Sequence, residues 1–67
     1  MKGIVKWFNQ DLKYGFINSE DNPDIDYFVY INDVISDNLL QDGDYVEFSS
    51  IETKDGRYKA VHVTKCK

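Results

Sequence analysis

Ten of the 67 residues are aromatic, and those nearest the N-terminus are spaced for work at a surface. Trp7 and Phe8 lie in KGIVKWFN, Tyr14 and Phe16 in KYGFI, and Phe28 and Tyr30 in DYFVYI. Along a strand, residues i and i+2 project from one face, so Tyr14/Phe16 and Phe28/Tyr30 each form an aligned pair. If their strands are neighbours, the rings make one wall. Such a wall offers flat π surface to a ligand, which suits the unstacked bases of single-stranded nucleic acid. Lys6, Lys13 and Lys59 flank these segments and would meet phosphate.

The elements that must hold these rings are strands. The alternation predicts a first strand over about Lys2–Asn9 and a second over Tyr14–Ser19. A third is expected near Asp26–Asn32, a fourth over Asp44–Thr53 and a fifth over Arg57–Lys65. Lys54-Asp55-Gly56-Arg57 reads as a hairpin, since Asp-Gly readily takes the positive φ values of a type I′ turn. Only Asn32–Gln41 suggests a short helical or 3₁₀ piece, which would plug a barrel end. No repeat or linker divides the chain, so residues 1–67 read as a single domain. Five strands with almost no helix predict an all-β fold, a five-stranded antiparallel barrel without free edges.

Volume decides which side chains leave the interior. Ile4 or Val5, Ile17, Val29, Ile31, Val46, Ile51, Val61 and Val63 already supply an aliphatic filling for such a barrel. The aromatics cannot all join them, and the alternation puts Tyr14/Phe16 and Phe28/Tyr30 on the other face. Trp7 and Phe8 fall on opposite faces of an ideal strand, and periodicity leaves open which one is exposed.

The net charge is −4, which by itself disfavours a polyanion partner. Its distribution softens that objection. In residues 1–17, Lys2, Lys6 and Lys13 against Asp11 leave +2, and residues 54–67 carry +4, from Lys54, Arg57, Lys59, Lys65 and Lys67 against Asp55. Residues 18–53 hold ten acids and no Lys or Arg. Screening over about 8 Å at physiological salt makes local charge count for more than the total.

Enzymatic chemistry finds little support. His62 is the only histidine and has no Cys or Ser arrangement around it. Cys66 is expected on a frayed tail, and Asp21, Asp24 and Asp26 lack the glycine and glutamate spacing of an EF-hand. No cofactor, metal or small-molecule substrate is expected. The absence of a membrane-length apolar run or a signal-peptide pattern predicts a cytoplasmic chain with no membrane partner. A monomer is expected, with strand exchange through Asn32–Gln41 as a route to a dimer.

Taken together, the motifs resemble the cold-shock domain, a small OB-fold barrel. GIVKWFN opens the family almost verbatim as Gly3–Asn9. The family's KGFGFI appears as Leu12-Lys13-Tyr14-Gly15-Phe16-Ile17, and its VFVHF as Tyr27-Phe28-Val29-Tyr30-Ile31. Leu40–Phe48 and Ala60–Thr64 match its later motifs in order and spacing. The resemblance implies binding of single-stranded RNA or DNA, with an RNA-chaperone or gene-regulatory role. It implies that Trp7, Tyr14, Phe16, Phe28 and Tyr30 stack on bases, that Lys6 reaches phosphate or a base edge, and that Asp26 accepts hydrogen bonds from bases.

Departures from the pattern matter too. Leu12 replaces the motif's leading lysine, and Lys13 stands on a glycine position. Tyr30 replaces a histidine, Ile31 replaces an aromatic, and Leu39 stands near a further missing ring. Two lost platforms would remove on the order of 2–4 kcal/mol of stacking, leaving micromolar binding. Two other readings fit a small barrel with an aromatic face: a module for extended or Pro-rich peptides, and a ribosome-associated OB domain.

Overall fold

The computed structural model describes residues 1–35 and 40–66. Its strands are β1 (Lys2–Asn9), β2 (Tyr14–Ser19), β3 (Asp26–Tyr30), β4 (Tyr45–Glu52) and β5 (Tyr58–Lys65), with a 3₁₀ turn at Ile31–Asp33 after β3. They form a closed barrel in the order β1-β2-β3-β5-β4. Neighbours pair antiparallel except β3 and β5, whose parallel contact at Phe28 and Lys59 closes the ring. The architecture is the expected all-β, five-stranded OB-type barrel.

Val5, Ile17, Val29, Val46 and Val63 fill the barrel together with Leu40 and Ala60, and Phe8, Tyr27 and Phe48 are buried with them. The aliphatic filling expected from the sequence is therefore corrected at several positions. Of the Ile4/Val5 pair, Val5 is the interior residue and Ile4 is 48% exposed, while Ile51, expected inside, is 47% exposed. Ile4 is out of phase with Val5, and Ile51 with Val46 and Phe48, so alternation turns both outward. Val61 is half-buried because β5 carries a bulge. The β4–β5 register shifts between Glu47 and Ser49, and His62 takes a φ of +52°. Ala60 and Val63, three residues apart, thus both face inward, and Val61 is rotated away.

Three loops differ from expectation in detail. β3 ends at Tyr30 because the chain turns into the 3₁₀ segment at Ile31. Ile31 and Val34 pack against the core, and Ile35 N–H donates to Val63 C=O at 2.8 Å. The remainder of the expected helical piece, including Leu39, lies outside the described residues. The 54–57 hairpin forms, but of its residues only Gly56 has positive φ. Gly56 N–H donates to Thr53 C=O at 3.0 Å, so the loop is a longer turn than type I′. Cys66 is not frayed: its N–H donates to Tyr45 C=O at 2.8 Å.

Candidate nucleic-acid interface

The Trp7/Phe8 ambiguity is resolved by a bulge in β1. The β1–β2 register runs Val5↔Ile17 and then Trp7↔Phe16, so Lys6 is the extra residue. Val5 points in, Lys6 and Trp7 both point out, and Phe8 returns to the core. Phe8 N–H donates to the Asp42 carboxylate at 3.2 Å, which anchors the chain just after the bulge. Period-2 reasoning cannot see an inserted residue.

Gly15 then lets β1 and β2 approach closely. A Cβ there would sit 2.1 Å from Trp7 O and 2.7 Å from Phe8 Cα. With no side chain in the way, Trp7 comes down beside both rings of β2. Its centroid lies 5.6 Å from that of Tyr14 and 5.3 Å from that of Phe16. Phe28, across the ladder from Phe16, lies 5.5 Å from Tyr14 in a stacked arrangement and 5.7 Å from Phe16 edge-on. Three strands therefore supply one continuous cluster of rings. Trp7 is 38% exposed, while Tyr14, Phe16 and Phe28 are half-buried because each ring leans on its neighbours. Tyr30 extends the wall across from Tyr14.

Two of the three lysines expected to meet phosphate already have partners. Lys6 Nζ lies 3.3 Å from Asp26 and Lys59 Nζ 3.1 Å from Asp33. Lys13 is exposed at the β1–β2 loop with φ of +65°. That loop is pinned by Asn9, whose Oδ1 accepts the N–H groups of Asp11 and Leu12 at 2.9 Å each. Lys13 C=O in turn accepts Ile31 N–H at 2.9 Å. The Asp33 partnership and the positive φ at Lys13 both depend on tertiary pairing.

Phe16, Asp26, Phe28 and Lys59 also border an open cleft of about 490 Å³. The β2–β3 loop, through Asp24 and Ile25, forms one side, and Arg57 and Tyr58 form the other. The sequence reading did not single out Tyr58 or Arg57. The available signal was an aromatic and a cation immediately after a hairpin turn.

Just before β4, burial works to raise the Asp44 carboxyl, but the Lys65 ammonium at 3.0 Å and the Gln41 N–H outweigh it and hold it low. Tyr45 donates its hydroxyl to Glu20 at 2.7 Å, which pushes its pKa up to about 12. Among the described residues no group of His, Cys, Asp and Glu could hold a metal ion, and His62 is exposed. No described helix is long and apolar enough to cross a membrane.

The sequence profile of the 'Cold-shock' DNA-binding domain matches residues 1–66. The chain belongs to the cold-shock domain family. It is 45% identical to the cold shock-like protein of Aquifex aeolicus, covering 92% of this chain and 91% of that one. It is 41% identical to cold shock protein 1 of Arabidopsis thaliana over 92% of its own length, but spans only 21% of that longer protein. A solved structure of Drosophila Unr (CSD456) superposes with a TM-score of 0.74 over 98% of this chain and 26% of that chain. At 17% identity that likeness shows the shared fold. Membership of this family makes the protein a nucleic-acid-binding domain.

Proposed function

We propose that this cold-shock domain binds single-stranded RNA or DNA by stacking successive bases on Trp7, Tyr14, Phe16, Phe28 and Tyr30. Lys6, Lys13 and Lys59 contact phosphates, and Asp26 accepts a hydrogen bond from a base. The observation that carries this reading is the continuous ring cluster on the outer face of β1–β3, with centroids 5.3–5.7 Å apart. An exposed aromatic surface of this kind is costly unless it has a ligand. Every base has a π face, so each ring contributes about 1–3 kcal/mol with little sequence preference.

No chemical step is involved. A strand laid on the rings cannot pair with itself, and modest affinity lets it leave again, which is the behaviour of an RNA chaperone or regulator of gene expression. The domain works alone, as a monomer in the cytoplasm. Three lysines give a salt dependence no steeper than about −2 in log–log form, at ~0.7 per neutralised phosphate. The Asp26 and Asp33 pairings reduce it further, because phosphate must displace a carboxylate.

Trp7 is the only tryptophan, so its fluorescence reports directly on the platform. Titration with oligo-dT at low salt is expected to quench it with micromolar affinity, and Phe16→Ala to weaken binding by about five- to a hundredfold. Unchanged fluorescence, or a Phe16→Ala variant of undiminished affinity, contradicts the proposal. A peptide-binding or ribosome-binding role predicts that result.

A further inference from the structure

The cleft shares Phe16, Asp26, Phe28 and Lys59 with the platform and continues its stacking surface to the β4–β5 hairpin. Its volume, about 490 Å³, falls in the range of pockets that enclose small planar ligands, roughly 300–1,000 Å³. Tyr58 is 37% exposed, and its ring is steadied edge-on by the buried Tyr27, with centroids 5.8 Å apart. A ring braced on the core and open on the cleft side is a preorganised stacking partner. Ile25 adds an apolar wall.

The polar groups of the cleft differ in how far they are committed. Asp55 accepts the Thr53 hydroxyl and pairs with Arg57 at 3.4 Å; Asp26 pairs with Lys6. Asp24 makes no side-chain hydrogen bond or ion pair with any described residue. Its carboxylate is acceptor-only, so it selects a base edge that presents donors. Guanine offers two adjacent donors, N1–H and the N2 amino group, which match two carboxylate oxygens. Adenine and cytosine each place a single amino donor beside a ring acceptor. Thymine and uracil flank their N3–H with carbonyls that a carboxylate repels. The exposed Arg57–Asp55 pair is weak enough to yield Arg57 to the adjoining phosphate.

We propose that the cleft is an additional base subsite specific for guanine, in which Tyr58 stacks on the base and Asp24 reads its N1–H/N2–H edge. This rests on the platform reading above, and its test separates the two. The affinity of labelled oligo-dT strands, with and without one internal dG or dA, is measured by fluorescence anisotropy for the wild type, Asp24→Asn, Tyr58→Phe, Tyr58→Ala and Tyr14→Ala.

The dG strand is expected to bind at least about fivefold tighter than the all-dT or dA-containing strand. Asp24→Asn abolishes that preference and does not weaken all-dT binding, which rises slightly because a carboxylate that repels thymine carbonyls is gone. Tyr58→Phe retains it. Tyr58→Ala weakens strands long enough to reach the cleft by about fivefold or more, and spares strands of about four nucleotides that the platform alone can hold. Equal affinity for dG and dT, a dG preference that survives Asp24→Asn, or a silent Tyr58→Ala overturns the proposal. Tyr14 lies outside the cleft, so a silent Tyr14→Ala overturns the platform reading instead. Loss of binding in Tyr14→Ala without any dG preference overturns the cleft alone.

Discussion

Lys13→Gly is expected to make the protein more stable while weakening its hold on nucleic acid. Lys13 has a φ of +65°, in the left-handed region where an L-residue's Cβ crowds the following carbonyl at a cost of about 1–2 kcal/mol. The conformation is imposed from both sides, by Lys13 N–H donating to Asn9 C=O at 2.7 Å and by Lys13 C=O accepting Ile31 N–H. Glycine removes the crowding but loses more entropy on folding, about 0.5–1 kcal/mol. The net gain is therefore ~0.5–1 kcal/mol, or a rise in Tm of roughly 2–8 °C for a domain of this size. Lys13→Ala is the control, since it removes the charge and keeps the Cβ; it should show no such gain. In the same variants, oligo-dT affinity should fall at low salt and the log–log salt slope should flatten by about 0.7, the contribution of one phosphate contact. Calorimetry and urea unfolding read the first effect, and salt-dependent titration the second. A glycine variant no more stable than the alanine variant refutes the strain assignment, and an unchanged salt slope refutes the phosphate contact.

Further predictions follow from individual contacts. Gly15→Ala places a Cβ 2.1 Å from Trp7 O, so β1 must move off β2. A loss of about 1–3 kcal/mol in urea unfolding is expected, with weaker oligo-dT binding because Trp7 is carried away from Tyr14 and Phe16. Asp33→Asn releases Lys59 and removes a negative charge beside the platform; binding at low salt should tighten by roughly two- to fivefold, the scale of one half-buried surface ion pair. Asp44 is held below its ordinary value, so its stabilising contribution is complete above about pH 4 and is lost as pH falls through the lowered folded value. Tyr45 behaves oppositely: raised from 10.0 to about 12, it contributes below pH 10 and the contribution disappears as pH rises through about 12. Thermal melts across pH should show both flanks, the acid one blunted by Asp44→Asn and the alkaline one by Tyr45→Phe.

Much of this architecture was legible in the sequence, and the exceptions share a cause. β2 shows clean alternation, with Gly15, Ile17 and Ser19 buried between Tyr14, Phe16 and Asn18. There, period-2 reasoning placed every side chain correctly. It broke down at Lys6 and His62, where an inserted residue shifts the phase, so the face of Trp7 stayed open and Val61 was put inside. The aromatic interior of Phe8, Tyr27 and Phe48 was also hidden. An account of volume shows that some rings must leave the core, but three of them stay inside and take the room left by the outward-facing Ile51 and the rotated Val61. Lys13 could be recognised as standing on a glycine position only through the family motif, and its φ shows what that position demands. The cleft and the Lys59–Asp33 pair join residues far apart in the chain through the β3–β5 closure, which no local pattern encodes.

The aromatic ring protons, followed by NMR while unlabelled oligo-dT is added, test the central claim most directly. Base stacking should shift the ring signals of Trp7, Tyr14, Phe16, Phe28 and Tyr30 upfield, leaving those of the buried Phe8 and Phe48 in place. Perturbations centred instead on Ile4, Tyr45 and Ile51, with the five outward rings unmoved, would contradict it.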